Sequence, residues 1–133
     1  MEMRKGVDLV KKAMQDYELA RKYRDAKEYL TASILYRKAT EKVLKALFLK
    51  NRKRSPPTNA SIEYLAEQTV LPDSIYSEIV SIPDETTEIM EEEQLLEYDD
   101  GERTHRAQTS EYMSTMERQD LVRRLIDYAE ANI

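Results

Sequence analysis

The stretch that decides the fold is Tyr29-Leu30-Thr31-Ala32-Ser33-Ile34-Leu35-Tyr36-Arg37-Lys38-Ala39-Thr40-Glu41-Lys42-Val43-Leu44-Lys45-Ala46-Leu47-Phe48-Leu49. Ala32, Leu35, Ala39, Val43 and Leu47 recur at steps of three and four, the period of an amphipathic helix, and Leu44 and Phe48 widen the stripe. Ala32 and Ala39 are small enough to let a neighbouring helix approach closely. Glu41 and Lys45 stand four apart, in the order that favours an ion pair along one helix. The spacing predicts a helix over about residues 30–52.

Upstream, Val7, Val10, Met14, Tyr17 and Ala20 make a second stripe of the same period, which predicts a helix over about residues 5–29. Lys11, Lys12, Arg21, Lys22 and Arg24 fall largely off it. Downstream, Asn51-Arg52-Lys53-Arg54-Ser55-Pro56-Pro57-Thr58 is a break, since two prolines stop a helix and the basic residues suit its negative C-terminal end. The basic run from Lys50 to Arg54 therefore reads as a helix cap before it reads as a nuclear-localisation signal. Asn59-Ala60-Ser61 matches a glycosylation sequon that carries no weight without a secretory signal. A short helix follows over about 60–69 on Ile62, Leu65 and Ala66, and Pro72-Asp73-Ser74 opens a further turn or two through Ile75, Ile79 and Val80. Pro83-Asp84 opens another helix reaching about Glu97, with Asp84 as N-cap. Asp99-Asp100-Gly101 reads as a turn, and the last helix, about 104–131, carries Tyr112, Met116, Leu121, Val122, Leu125 and Ala129. Three long helices with shorter ones between them imply an all-α, up-and-down bundle of four to five helices, with residues 1–133 as a single domain. The small core points to a homodimer, which would remove a further helical face from water.

Composition agrees with that class and excludes others. In 133 residues there are 41% apolar and 35% charged side chains, with only two glycines and four prolines, too few for a sandwich or a glycine-rich nucleotide loop. With no cysteine, disulfides, thiolate zinc sites and a cysteine nucleophile are all ruled out. A single histidine, His105, cannot build a two-histidine metal site. The charged N-terminal stretch lacks the apolar core of a signal peptide, and no apolar run approaches a membrane span, so a cytoplasmic protein without membrane contact is expected. The net charge of −5 conceals an asymmetry. Residues 1–54 hold 16 Lys and Arg against 7 acids, whereas residues 55–100 hold 13 acids and no cation. That pattern suits either a basic face for phosphates beside an acidic arm, or two segments that neutralise each other.

The second helix resembles that of HEPN-domain proteins, in which an alanine-spaced helix runs into a string matched here by Glu41-Lys42-Val43-Leu44-Lys45-Ala46-Leu47. The region from Ala20 to Ala26 is similar to the family's first helix and its turn. Pro56-Pro57-Thr58-Asn59-Ala60-Ser61-Ile62 is similar to the loop that follows, with Asn59 in place of the family's usual histidine and Ala60 inserted. The resemblance covers about residues 7–69; residues 70–133 match only in being helical. It implies a four- or five-helix bundle, commonly a homodimer, and one of two kinds of work. Some members are metal-independent ribonucleases built on an arginine, four to six residues, and a histidine. Others partner a minimal nucleotidyltransferase, often in toxin–antitoxin pairs, or bind nucleotides.

The ribonuclease pattern can be checked residue by residue. Cleaving RNA without metal takes a proton-transfer group near neutral pKa and a cation for the charge that develops on phosphorus. The arginine that would pair with His105 belongs at position 98, 99 or 100, where the chain has Tyr98, Asp99 and Asp100. Only a diverged site using His105 with Arg103 or Arg106 is left to that reading. Glu91-Glu92-Glu93, Glu97, Asp99, Asp100 and Glu102 lack the alternation and glycine of a calcium loop and read as a solvated acidic face. A bundle di-metal site needs Glu-x-x-His on each of two helices, and the single histidine allows one, Glu102-Arg103-Thr104-His105; no phosphate loop or dinucleotide fingerprint is present, and no cofactor is expected. Tyr17, Tyr23, Tyr29 and Tyr36 could stack bases beside Arg24, Arg37 and Lys38, or sit at helix edges with wet hydroxyls. For anion contacts the candidates are Arg37, Lys38, Lys42 and Lys45 along the second helix, with Lys45 partly claimed by Glu41. The expected function is a non-catalytic, dimeric binding or accessory subunit for a nucleotide, an RNA or a nucleotidyltransferase partner. The alternatives are a diverged ribonuclease of a toxin–antitoxin pair, or an interaction module using the acidic arm at 84–102.

Overall fold

The computed structural model describes residues 2–81 and 101–133, with side chains described over 5–80 and 115–133. The described residues contain five helices and no strand: α1 (Glu2–Asp25), α2 (Tyr29–Arg52), α3 (Ile62–Gln68), α4 (Asp73–Ser81) and α5 (Gly101–Asn132). The all-helical class read from the sequence is the one observed. The helix expected over 84–97 lies outside the described residues, and Gly101, expected in a turn, opens α5.

α1 and α2 form an antiparallel hairpin. Gly6 lies near Ala46, Asp16 pairs with Lys42 and Tyr17 packs on Tyr36, so one chain position rises as the other falls. α5 lies across both, parallel to α2 and antiparallel to α1. Ser33 bonds Thr115 and Tyr36 bonds Gln119, whereas Arg24 reaches Gln119 and Met14 meets Arg123. The short α3 and α4 close the end where α2 finishes. Arg52 Nε donates to the Gln68 carbonyl at 3.1 Å, and the Tyr128 hydroxyl donates to the Val70 carbonyl at 2.8 Å.

The stripe on α1 is turned from the one expected. Val7 is 42% exposed, while Ala13 is fully buried, so the buried line runs Val10, Ala13, Tyr17 and Ala20. On α2, Ser33, Tyr36, Thr40, Ala46 and Leu49 join the expected apolar residues in the core, and Leu35 is only half-buried. The central helix is covered on more than one side, so its buried face is wider than a single stripe.

Helix ends follow local chemistry. Ser61 caps α3, its hydroxyl accepting the Tyr64 N–H at 3.0 Å. Lys53 ends α2 in a left-handed conformation with φ of 56°, its N–H donating to the Leu49 carbonyl. The cap expected of the Asn51–Thr58 break is thus made by the backbone. α1 ends four residues before the predicted boundary, in a Schellman turn. The Glu28 N–H reaches the Tyr23 carbonyl at 2.8 Å and the Lys27 N–H reaches the Arg24 carbonyl at 2.9 Å, with Lys27 at φ 63°. No glycine marks that stop in the sequence. A side chain in this conformation costs about 1 kcal/mol relative to glycine. Lys27→Gly is therefore expected to stabilise the fold by about 0.5–1 kcal/mol, read as a higher midpoint in urea denaturation at unchanged slope.

Candidate functional site

The four cations expected to contact an anion do not share one environment. Lys42, half-buried, donates to the Asp16 carboxylate across the α1–α2 interface. Lys45 pairs with Glu41 at 3.1 Å, the helical ion pair that the spacing indicated. Lys38 is exposed. Arg37, half-buried, lines a cleft and is joined there by a residue the sequence reading missed, Arg118 of α5. Arg118 is only 6% exposed. It sits three residues from both Thr115 and Leu121, which are buried, so it is a cation on the core-facing side of its helix. That placement on an amphipathic helix was the available signal.

The cleft encloses about 40 Å³ where α2, α3, α4 and α5 meet. Ile62, Ile79 and Leu121 supply apolar walls, and Tyr36 and Thr40 complete the α2 side. The Thr40 hydroxyl donates back to the Tyr36 carbonyl at 3.0 Å.

Beside the cleft runs a seam of buried polar contacts. Tyr36 is fully buried, and its hydroxyl donates to Gln119 Oε1 at 2.8 Å. The same oxygen accepts from Arg24 Nη1. Ser33 and Thr115 share a hydrogen bond of 2.7 Å, and the Thr115 hydroxyl also reaches the Tyr29 carbonyl at 3.3 Å. Tyr17 and Tyr36 stack obliquely, with ring centroids 5.8 Å apart, and the guanidinium groups of Arg21 and Arg123 each lie 5.9 Å from the Tyr17 ring centre. Two of the four tyrosines considered for base stacking are therefore core residues. Tyr36 also departs from the expectation of a wet hydroxyl, because Gln119 supplies its partner inside the bundle.

Nine of the thirteen acids in the neutralisation expected between residues 1–54 and 55–100 lie outside the described residues. Among the described residues, cations of α1 and α2 pair with Asp16, Asp25 and Glu41 of their own segment, while Glu78 pairs with Arg124 of α5. His105, Arg103 and Arg106 fall in the first turns of α5, but their side chains lie outside the described residues. Residues 84–100 of the acidic arm lie outside them as well. Among the described residues no three His, Cys, Asp or Glu side chains gather as metal ligands, and no helix is long and apolar enough to cross a membrane.

A family model described as HEPN domain matches residues 7–131, nearly the whole chain. The protein belongs to the HEPN-domain family. Membership extends past the first three helices, where the resemblance was legible, and takes in α4 and α5 of this HEPN domain. No curated protein and no solved structure gives a significant match.

Burial pushes the Tyr36 hydroxyl up from 10.0 to about 12, an effect that nearby Arg24 partly offsets. Between those two values the unfolded chain releases this proton while the folded HEPN domain keeps it, so stability falls as pH rises from about 10 to about 12. Tyr36→Phe is expected to lower stability at neutral pH by about 1 kcal/mol, through loss of the Gln119 bond, and to flatten that alkaline fall. Thermal melts of both proteins from pH 7 to 12 check it.

Proposed function

We propose that this HEPN domain is a single-domain, non-catalytic binding or accessory subunit that works as a homodimer and serves a nucleotide, an RNA or a nucleotidyltransferase partner. The observation that carries the reading is the missing spacing. Tyr98, Asp99 and Asp100 occupy the positions where an arginine would have to precede His105 by the ribonuclease interval. Carboxylates there would repel the phosphate that an arginine would hold. What supports a binding role is the cleft lined by Arg37 of α2 and Arg118 of α5, with exposed Lys38 next to Arg37 in the chain. Val7 and Leu19 on α1 and Val70 beyond α3 leave apolar surface exposed, the kind of surface a second subunit covers.

Two measurements test the reading. The purified protein is expected to leave RNA intact without added metal, and His105→Ala to change nothing. RNA cleavage abolished by that substitution would overturn the non-catalytic assignment. Native mass spectrometry of protein purified gently from its own cells is expected to show a dimer carrying a nucleotide, RNA or nucleotidyltransferase mass. A bare monomer would overturn the accessory role.

A further inference from the structure

The end of α2 carries more positive charge than its cap uses. The Lys53 N–H makes the cap on the Leu49 carbonyl, and Arg52 is held by Gln68, with Nε donating to the carbonyl at 3.1 Å and Nη2 to Oε1 at 2.9 Å. Lys50, Lys53 and Arg54 are exposed. Among the described residues no carboxylate pairs with any of the three, Glu63 and Glu67 of the neighbouring α3 included. From Lys50 to Ile62 the chain holds four cations and no acid.

These cations border a preformed groove. Pro56 and Pro57 restrict the loop, the Ala60 N–H closes it on the Pro57 carbonyl at 3.1 Å, and Ser61 caps α3. Pro57, Thr58, Asn59, Ala60, Ser61 and Tyr64 line an open groove of about 550 Å³, a size typical of small-ligand sites. Phe48 connects the groove to the charge. The Arg54 guanidinium lies 5.9 Å from the Phe48 ring centre, and the Tyr64 ring centre lies 6.4 Å from it. Arg54 and Tyr64 thus share one aromatic neighbour, which holds a cation next to the groove. Resting on the binding-subunit reading above, to which it adds one ligand and one surface, we propose that this α2–α3 corner binds a single-stranded polynucleotide, with Lys50, Lys53 and Arg54 on backbone phosphates and one base in the groove against Tyr64 and Asn59.

Three chemistries on one surface select a strand over other anions. Lysine and arginine neutralise the phosphates spaced along a backbone. A tyrosine ring stacks on any base, because every base has a flat face. The Asn59 amide both donates and accepts, which matches the mixed edge of a base. A duplex keeps its base faces stacked on one another, so only a single strand can use Tyr64. An acidic peptide would answer the cations and leave the groove empty.

The test is fluorescence anisotropy of the full chain with labelled oligonucleotides of about 12 residues. The probes are an RNA single strand, the DNA strand of the same sequence, the RNA duplex, and a polyglutamate peptide of the same length. The single strand is expected to bind, and its association constant to fall with salt at a log–log slope of about −2 for three phosphate contacts. Lys50→Gln combined with Lys53→Asn, in which asparagine keeps the left-handed cap, is expected to weaken binding by about tenfold or more and to make the slope shallower by about 1.4. Tyr64→Leu, checked for an intact fold by circular dichroism, is expected to weaken binding about tenfold at unchanged slope. No single-strand binding, binding unmoved by the double substitution, or equal binding of the duplex or of polyglutamate would overturn the proposal. RNA bound above DNA assigns the strand as RNA, and equal binding of the two assigns a strand of either sugar. Failure here is separable from failure of the subunit reading. A dimer that carries a nucleotidyltransferase but binds no strand loses only the corner, whereas strand binding through the corner by a protein that cleaves RNA loses only the non-catalytic role.

Discussion

The close packing of α1 on α2 is the constraint on which the rest of the bundle depends. Ala13 and Ala20 on one helix and Ala32, Ala39 and Ala46 on the other are essentially without solvent exposure. A β-carbon added at Gly6 would sit 3.7 Å from the Ala46 carbonyl oxygen, ordinary contact distance, so at that point the backbones are already as near as an alanine allows. Small side chains gain little from burial individually, about 0.8 kcal/mol for each methyl or methylene group. Their larger effect is geometric, since they let the helices approach until dispersion contacts form along the whole seam. Once the hairpin closes, its two ridges offer one groove, and Leu121, Val122, Leu125, Ile126 and Ala129 of α5 fill it.

Register along that groove is held by polar contacts, because apolar side chains tolerate sliding and hydrogen bonds do not. Ser33 with Thr115 and Tyr36 with Gln119 place α5 against α2, and Arg24 ties the same glutamine to α1. Each buried bond stabilises by about 1 kcal/mol when made and costs more when a partner is left unsatisfied, so a shifted register is penalised twice. That register also places Arg118 and Arg37 in the lining of one cleft. The structural network and the candidate binding site are thus consequences of the same alignment.

Electrostatics divides the basic residues of α2 by what faces them. Lys42 looks toward α1 and meets Asp16, and Lys45 folds back on Glu41 one turn earlier. Both are surface or half-buried pairs, of small energetic value, but each takes a cation out of contention for a ligand. The charge of residues 1–54 therefore overstates the positive surface offered to a partner.

Much of the helical framework was legible from periodicity and punctuation. α2 ends where its apolar period stops and the prolines begin, and Ser61 and Asp73 sit where polar residues start α3 and α4. Two local features escaped for physical reasons. The phase of α1 was read from Val7 and Met14, whereas the buried line goes through Ala13, whose small side chain barely registers in a hydrophobic pattern though close packing requires it. The Schellman turn at Lys27 carries no glycine, so nothing in the residue types announced it. By itself, then, the sequence determined the helices, the small-residue face of α2 and the absence of the ribonuclease spacing, because these depend on neighbours within a few positions. Only the tertiary structure decided that Tyr36 is buried and satisfied by Gln119, that Lys42 is spent on Asp16, and that Arg118 joins Arg37. Each of those outcomes needs two distant segments to meet, and their meeting is set by how α5 seats on the α1–α2 hairpin.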